Sequence, residues 1–391
     1  MKFISSKQDT SRFVEKIFAV TQAAKADLDP NTINATAGCL YDESGKLFTY
    51  KTVFNAEKEL SDAQKASYAS SPTGNKEYID AISKYILEDK VSNNHMAMAT
   101  PGGTGALYTS MKLTLQENDT IIIPEIAWAN YKNMAIELNL NVLTYNMYNL
   151  DDLFNKIDSI KNNKVFILIN SPCENPLGYS YSYCQWQQIF NKLNNINKDV
   201  VLCLDIAYID YCTHEPKKFF ELFNSISDNL LIMICASCSK SFSYYGERLG
   251  ALIVVNNDKE IVDTLINIGS RFARSMWSNI NNGAMVNVAN VLNNHYDEYI
   301  KERNESIELL AKRTRLFKQE ADECGLELYP FDDGFFVTIK VEDNEVKEKA
   351  HKRLIENHIY TINVNKGLRV ALCSVPLNKV SGLAKKIKEL I

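Results

Sequence analysis

The chain has 391 residues, 46% hydrophobic and 23% charged, a composition typical of a globular protein with a large core. Its net charge of −5 disfavours a broad nucleic-acid surface, and no apolar run predicts a signal peptide or a transmembrane helix. The nine cysteines are scattered, several in apolar runs, and the five histidines form no HxxxH or HExxH pair. We therefore expect a cytoplasmic protein with reduced thiols, no metal site, and no nucleic-acid or membrane partner.

The first 90 residues predict helices separated by loops. Residues 1–30 have an amphipathic helical pattern, and the stretch NATAGCLYDESGK (residues 34–46) predicts a loop that passes into extended chain. Residues 54–90 predict helices interrupted by the loop YASSPTGN (residues 68–75).

From residue 95 onward, short apolar runs alternate with helical patterns. The runs are HMAMAT, DTIIIPE, NVLTYNMY, KVFILIN, DVVLCLD, LLIMICA and LGALIVV. Such runs, separated mostly by helices, predict an α/β fold with a seven-stranded, mostly parallel sheet covered by helices.

The pattern changes after residue 260. A loop or helix end carries Arg271 and Arg274, residues 284–324 predict two helices, and LELYPFDDGFFVTIKV predicts a hairpin around residues 332–334. GLRVALCSV predicts a final strand. We expect a large domain of residues 48–300 and a smaller α+β domain formed by both chain ends, residues 1–47 and 301–391.

Ligands of parallel sheets bind at the carboxyl ends of the strands, so the polar residues that follow each run are the site candidates. They are Gly103, Thr104, Trp128, Asn175, Asp205, Tyr208, Ser237 and Lys240. The glycines of GGTGAL (residues 102–107) fit an anion at a helix N-terminus, or a plain helix start. Asp205 needs a cationic or hydrogen-bonding partner, and a pyridinium nitrogen would satisfy it, unless the aspartate caps a turn. Trp128 either stacks on the ring of a ligand or belongs to the core. Asn175 either contacts a ligand or belongs to a generic Asn-Pro turn.

Lys240 follows the buried run LLIMICA, between Ser237 and Ser239 on one side and Arg248 on the other. Partial desolvation lowers the pKa of an amine, as imine chemistry requires, and the hydroxyls and the arginine fit a phosphate dianion. The alternative is a solvated loop lysine. Arg369 lies among apolar residues, so we expect its guanidinium to pair with a carboxylate of the protein or of a ligand.

In this order, the segments resemble the class I aminotransferases, the aspartate and aromatic aminotransferase group of fold-type I pyridoxal-phosphate enzymes. SCSKSFSYYGERLG (residues 237–250) is similar to the Schiff-base lysine motif of that family, and NATAGCLYDESGK to its N-terminal stretch. The resemblance extends over nearly the whole chain, because the family's motifs occur in the same order. They are the Gly-Thr loop, Trp, Asn-Pro-x-Gly, Asp-x-x-Tyr, Ser-x-x-Lys, Arg and C-terminal Arg.

The resemblance implies an aminotransferase that moves the amino group between aspartate or an aromatic amino acid and 2-oxoglutarate by a ping-pong Schiff-base mechanism. Lys240 would be the catalytic lysine, and the large domain would bind pyridoxal 5'-phosphate. The implied cofactor contacts are Asp205 at the ring nitrogen, Tyr208 and Asn175 at the phenolic oxygen, Trp128 on the ring, and Gly103, Thr104, Ser237 and Arg248 at the phosphate. Tyr68 would join the phosphate site from the second subunit of a homodimer.

The resemblance also implies the substrate contacts. Arg369 would clamp the α-carboxylate, with Gly38 packed close over it and with Trp128 and Asn175 beside it. Arg274 takes the place of the arginine that binds a distal carboxylate across the dimer, and Arg271 is the nearby alternative.

Four residues in three segments depart from the family pattern. Ile280-Asn281 replaces the usual Pro-Pro, Tyr131 replaces a histidine near Trp128, and Asn170 replaces a histidine before the Asn-Pro turn. The choice between aspartate and aromatic substrates therefore stays open. A C–S β-lyase or an amino-acid decarboxylase on the same fold is the alternative, and Arg274 argues against it. A non-catalytic cofactor-binding regulator fits the acidic chain least well.

Overall fold

The computed structural model describes residue 3 and residues 16–391. The helices are α1 (Lys16–Ala26), α2 (Lys51–Glu59), α3 (Asp62–Ala66), α4 (Lys76–Leu87), α5 (Gly102–Thr114), α6 (Asn130–Glu137), α7 (Leu150–Ser159), α8 (Tyr183–Asn194), α9 (Cys238–Ser241), α10 (Lys259–Met276), α11 (Asn282–Asn294), α12 (Tyr296–Cys324), α13 (Asn344–Glu356), α14 (Leu377–Val380) and α15 (Leu383–Leu390). The strands are β1 (Ile33–Asn34), β2 (Asn94–Pro101), β3 (Thr120–Pro124), β4 (Asn141–Tyr145), β5 (Lys164–Asn170), β6 (Asp199–Asp205), β7 (Leu230–Ser237), β8 (Leu249–Asn256), β9 (Phe336–Lys340), β10 (Ile359–Tyr360), β11 (Ile362–Val364) and β12 (Gly367–Ala371).

The apolar runs form one seven-stranded sheet in the order β2-β8-β7-β6-β5-β3-β4. Strand β6 is parallel to both β5 and β7, whereas β8 is antiparallel to β7 and to β2. β5 and β6 are buried at every position after the first, as expected of strands covered on both faces. The predicted α/β fold with a mostly parallel seven-stranded sheet is confirmed.

Alternate residues of the strands feed two hydrophobic clusters, one on each face of the sheet. Ile167 and Leu202 pack with side chains of α4, α8 and α11, whereas Phe166 and Cys203 pack with side chains of α5, α6 and α10. These clusters hold the strand ends rigidly, which positions the polar residues that follow them.

A third cluster lies around the antiparallel sheet β11-β12-β9, and this sheet and the helices packed on it form the smaller α+β unit. The described chain ends meet there, because β1 pairs with β10 and Ala371 donates its N–H to the carbonyl of Ala35. Helix α12 places Tyr299 in the first cluster of the large sheet and Phe317 in this third cluster. The expected boundary at residues 300 and 301 thus falls inside one helix, and the division of the chain there stays a prediction.

The structure refines several local predictions. The predicted hairpin around residues 332–334 has a short pairing, a single bridge between Leu328 and Ile339, with backbone hydrogen bonds from Tyr329 to Thr338 and from Lys340 to Glu327. Pro330 lacks an N–H, and β9 pairs along its other edge with β12. The helical pattern FFELFNSI (residues 219–226) lies between two of the apolar runs and forms a 3-10 helix, Lys218–Ser225, up to its last residue. Arg271 and Arg274 lie in the last turns of α10, so the segment is the helix end and not a loop. Residues 4–15 of the predicted N-terminal helix lie outside the described residues.

Within the described part of the chain, no helix is both long and apolar enough to cross a bilayer.

Candidate active site

A cavity of about 400 Å³ opens where β5, β6 and β7 end. The final residues of these strands, Asn170, Asp205 and Ser237, line it, as the topology of a parallel sheet predicts. The sequence-predicted residues that line it are Gly38, Gly103, Thr104, Trp128, Asn175, Asp205, Tyr208, Ser237, Lys240, Arg248 and Arg369. One cavity thus brings together almost the entire predicted set.

An anion cradle forms at the start of α5. Pro101 precedes the helix without a side-chain cap, so the first-turn N–H groups lie at the cavity without a side-chain acceptor at the cap position. A Cβ at Gly102 would lie 2.6 Å from Nη2 of Arg248, and one at Gly103 would lie 3.1 Å from Cβ of Ser237. Glycine is therefore required for the guanidinium and the Ser237 side chain to approach the helix start. Arg248 Nη1 also donates to Ser239 Oγ at 3.2 Å.

Asp205 carries a buried carboxyl group with both oxygens hydrogen-bonded. Oδ1 accepts the N–H of Ala207 at 3.0 Å, and Oδ2 accepts the hydroxyl of Tyr131 at 2.7 Å. Burial raises the pKa of Asp205, whereas the hydrogen bonds from Tyr131 and Ala207 and the charge of Lys240 act in the opposite direction. A cationic N–H donor in the cavity would stabilise the ionised form.

Lys240 lies on the short helix α9, directly after β7. Its Nζ lies 5.7 Å from the ring centroid of Tyr208 and 5.6 Å from that of Tyr245. Burial lowers the pKa of Lys240, and although Cys39 and Asp205 oppose this effect, the net shift is downward. A lysine with a lowered pKa offers a larger neutral fraction, as a nucleophile or a base requires.

Asn175 links the two sides of the cavity. Its Nδ2 donates to the hydroxyl of Tyr208 at 3.4 Å, and its Oδ1 accepts from Arg369 Nη1 at 3.1 Å. The Asn175 N–H is bound by Oδ1 of Asn170 at 2.9 Å, which fixes the turn after β5.

Arg369 is nearly fully buried, yet it lines the cavity. Nη2 donates to the carbonyl of Thr36 at 2.7 Å, and Nε finds no hydrogen-bond partner among the described residues. The guanidinium carbon lies 4.3 Å from the ring centroid of Phe336, whose ring edge would lie 3.2 Å from a Cβ at Gly38. A fixed guanidinium with an unsatisfied donor suits a carboxylate ligand.

Sequence reasoning did not select Phe336 as a site residue. The ring supports Arg369 and meets Tyr208 edge-on at 5.7 Å. The only sequence signal was the pair Phe335-Phe336, in which the other ring is a core residue.

Tyr68 and Arg274 do not line this cavity. Tyr68 is 86% exposed, and Arg274 is exposed near the end of α10, where it donates to Ser278 Oγ. Arg271 is also exposed on the same helix. Their predicted contributions from a second subunit stay predictions.

An amine of lowered pKa, an anion cradle and a buried carboxylate around one cavity define an enzyme site for an anionic, nitrogen-containing aromatic cofactor. The model of the family described as aminotransferase class I and II matches residues 30–387, and the chain belongs to that family.

Similar proteins include a cytoplasmic aspartate aminotransferase of Dictyostelium discoideum, 28% identical over 289 residues, which are 68% of this chain and 63% of that protein. The match thus spans less than two thirds of that relative's length. An aminotransferase structure from Anaerococcus prevotii, 28% identical, superposes with a TM-score of 0.94 over 100% of this chain and 99% of the other. An aromatic-amino-acid aminotransferase of Burkholderia pseudomallei, covalently bound to pyridoxal phosphate, has the same fold at 22% identity, with a TM-score of 0.81 and complete coverage of both chains.

Proposed function

We propose that the protein is a pyridoxal-phosphate-dependent aminotransferase that exchanges amino groups between aspartate or an aromatic amino acid and 2-oxoglutarate. The observation that carries this proposal is the convergence of Lys240, Asp205 and Arg369 on one cavity beside the anion cradle of α5. Family membership and the names of the similar proteins support the reaction class.

The residues present fit pyridoxal phosphate. The start of α5, with Ser237 and Arg248, offers donors to a phosphate, and buried Asp205 offers an anionic acceptor to a pyridine N–H. Asn175 and Tyr208 offer donors to a phenolic oxygen, and Trp128 provides a ring face. When bound, the cofactor supplies an electron sink for negative charge at the substrate Cα.

The side chains of the protein would divide the remaining work. Arg369 binds and orients the substrate carboxylate, held in place by Asn175, Thr36 and Phe336. Lys240, with its lowered pKa, accepts and returns the proton at Cα. Asp205 retains the proton on the ring nitrogen by offering its carboxylate as the acceptor.

A half-reaction without any oxo acid tests the proposal. Purified protein loaded with pyridoxal phosphate is mixed separately with aspartate, glutamate, tyrosine and phenylalanine, and conversion of the cofactor to pyridoxamine phosphate is followed by absorbance. We expect conversion with at least one of these donors and recovery on addition of 2-oxoglutarate. Lys240→Ala should bind the cofactor and fail to convert it. No conversion with any of these donors would refute the proposal, and release of ammonia or carbon dioxide without an acceptor would instead indicate a lyase or a decarboxylase.

We further propose that the enzyme is a homodimer with shared active sites in a reducing, cytoplasmic compartment. Exposed Tyr68, Arg274 and the 59% exposed Met276 support an interface, and all nine cysteines are free thiols. Mixing unfolded Lys240→Ala and Arg274→Ala chains and refolding them should restore about a quarter of the native activity, because random pairing rebuilds one native site in each hybrid dimer. A monomer by sedimentation, or no recovery in the hybrids, would refute shared sites, and an Arg271→Ala partner tests the alternative arginine.

A further inference from the structure

Tyr131 is a buried residue of α6 that lines the candidate site next to Trp128 and Asp205. Its ring meets Trp128 edge-on, with the centroids 5.5 Å apart and the planes at 88°. Its hydroxyl donates to Asp205 Oδ2 at 2.7 Å, an ordinary distance for an O–H···O hydrogen bond. The ring packing fixes the hydroxyl, and the hydroxyl fixes one carboxylate oxygen.

The remaining contacts of Asp205 come from backbone N–H groups or reach its backbone carbonyl, and not Oδ2. Oδ1 is held by the Ala207 N–H, and the backbone carbonyl accepts from Asn170 Nδ2 at 2.8 Å and from the Ser171 N–H at 3.2 Å. Among the described residues, Tyr131 is thus the side-chain donor to the carboxylate itself.

The chemistry of a phenol suits this position. Burial raises the pKa of Tyr131 well above its ordinary value, so the hydroxyl stays protonated and donates. It adds no positive charge that would compete with a cation bound in the cavity. Without this donor, Oδ2 would be buried and unsatisfied, which favours the neutral acid over the carboxylate.

We propose that Tyr131 is a positioning residue that keeps Asp205 ionised and aimed at the ring nitrogen of the cofactor, so that this nitrogen stays protonated. The inference rests on the proposed function and concerns the environment of the cofactor, not the choice of substrate.

The test uses the holoenzyme loaded with ¹⁵N-labelled pyridoxal phosphate. Tyr131→Phe keeps the ring against Trp128 and removes the hydroxyl. We expect the ¹⁵N chemical shift to move toward that of an unprotonated pyridine, and the dissociation constant of the cofactor to rise about tenfold. Tyr131→His restores a donor and should bring both readouts back toward wild type. Tyr145→Phe is the matched control, because it removes a buried tyrosine hydroxyl that contacts Tyr181 and not Asp205.

A double-mutant cycle separates positioning from packing. In an Asp205→Asn background, Tyr131→Phe should cause no further loss of cofactor affinity, whereas an equal loss in both backgrounds would overturn the proposal. A wild-type ¹⁵N shift and affinity in Tyr131→Phe would also overturn it. Should that variant not fold, an unprotonated ring nitrogen in Tyr131→His would refute the inference. Wild-type protein that binds no pyridoxal phosphate would refute the proposed function itself.

Discussion

Arg369 shows how single residues prepare the cavity for an anion. Three neighbours hold its guanidinium before any ligand arrives: the carbonyl of Thr36, the amide oxygen of Asn175 and the ring of Phe336. Preorganisation of this kind lowers the entropic cost of binding, since the long side chain has already lost its rotamer freedom. Of these three contacts, the one with Phe336 involves no hydrogen bond. It can therefore be removed without leaving a polar atom unpaired.

Replacing Phe336 with Leu should raise the KM for the amino-acid substrate about tenfold while kcat changes less, because the cation–π contact orients Arg369 and does not touch the reacting atoms. Steady-state kinetics with the preferred donor provides the measurement. Phe331→Leu is the matched control, because that ring lies 5.3 Å from Lys318 Nζ and away from the cavity. Equal effects of both substitutions would show that Phe336 matters only for the core.

Residues differ in how visible their role is in the sequence. Asp205, Lys240 and Arg369 were predictable, since an ionisable side chain beside an apolar run must find a partner or a ligand. The roles of Phe336 and Tyr131 were not, because an aromatic residue in an apolar segment is the ordinary composition of a core. What distinguishes them is one contact each, with Arg369 and with Asp205, and those contacts exist only after folding.

Helix α1 contacts the cavity and is attached to the smaller unit just past its C-terminal end. Thr21 lines the cavity, and residues just past the end of the helix are tied to β10. Asp27 accepts from His358 Nδ1 at 2.7 Å and from the hydroxyl of Tyr360 at 2.8 Å, while His358 Nε2 lies 3.6 Å from Asp29. One imidazole therefore bridges two carboxylates next to the pairing of β1 with β10.

This bridge predicts a pH dependence of stability. The hydrogen bond to Asp27 raises the pKa of His358, so its contribution is complete below the unfolded value near 6.5 and is lost as the pH rises through the higher folded value. The same contact lowers the pKa of Asp27, whose contribution is present above pH 3.8 and is lost in strong acid.

Thermal melting between pH 6 and pH 9 should therefore show a loss of stability in the wild-type protein that His358→Gln largely abolishes. His95→Gln is the control, because the His95 ring contacts only a backbone carbonyl. A His358→Gln variant with the wild-type pH profile would show that the bridge contributes nothing in solution.

Elements were predictable where burial is two-sided. The inner strands β3, β5, β6, β7 and β8 follow from apolar runs, since a strand covered on both faces tolerates few polar residues. The edge strand β4 also follows from an apolar run, although Tyr145 is its one buried residue. The second arm of the predicted hairpin, β9, also pairs along its other edge with β12, more than twenty residues further along the chain, and such a pairing depends on tertiary structure. The segment FFELFNSI has its phenylalanines at positions that both helix types can bury, so its pattern does not distinguish 3-10 from α.

At the scale of the whole molecule, α12 joins the core of the large sheet to the core of the smaller unit. Arg313, fully buried on this helix, ties both ends of the chain to it. Nη2 donates to the carbonyl of Tyr41 at 2.8 Å and to Glu43, and Nη1 donates to the carbonyl of Cys373 at 3.0 Å. One side chain therefore connects the segment before the large sheet with the segment after it.

Replacing Arg313 with Leu should loosen the smaller unit selectively. The substitution removes the guanidinium donors from the carbonyls of Tyr41 and Cys373 and from Glu43, at a cost of about 3 kcal/mol in the free energy of unfolding. The Cys373 carbonyl keeps the N–H of Tyr41, and Glu43 keeps that of Leu377. Hydrogen–deuterium exchange should accelerate in residues 36–47 and 367–391, whereas β5, β6 and β7 should keep their protection. Arg315→Leu is the matched control. Arg315 follows Arg313 two residues later on the same helix, is largely exposed and forms its ion pair with Glu308. Faster exchange throughout the chain would contradict the expected division near residue 300, because it would show that the two units open as one.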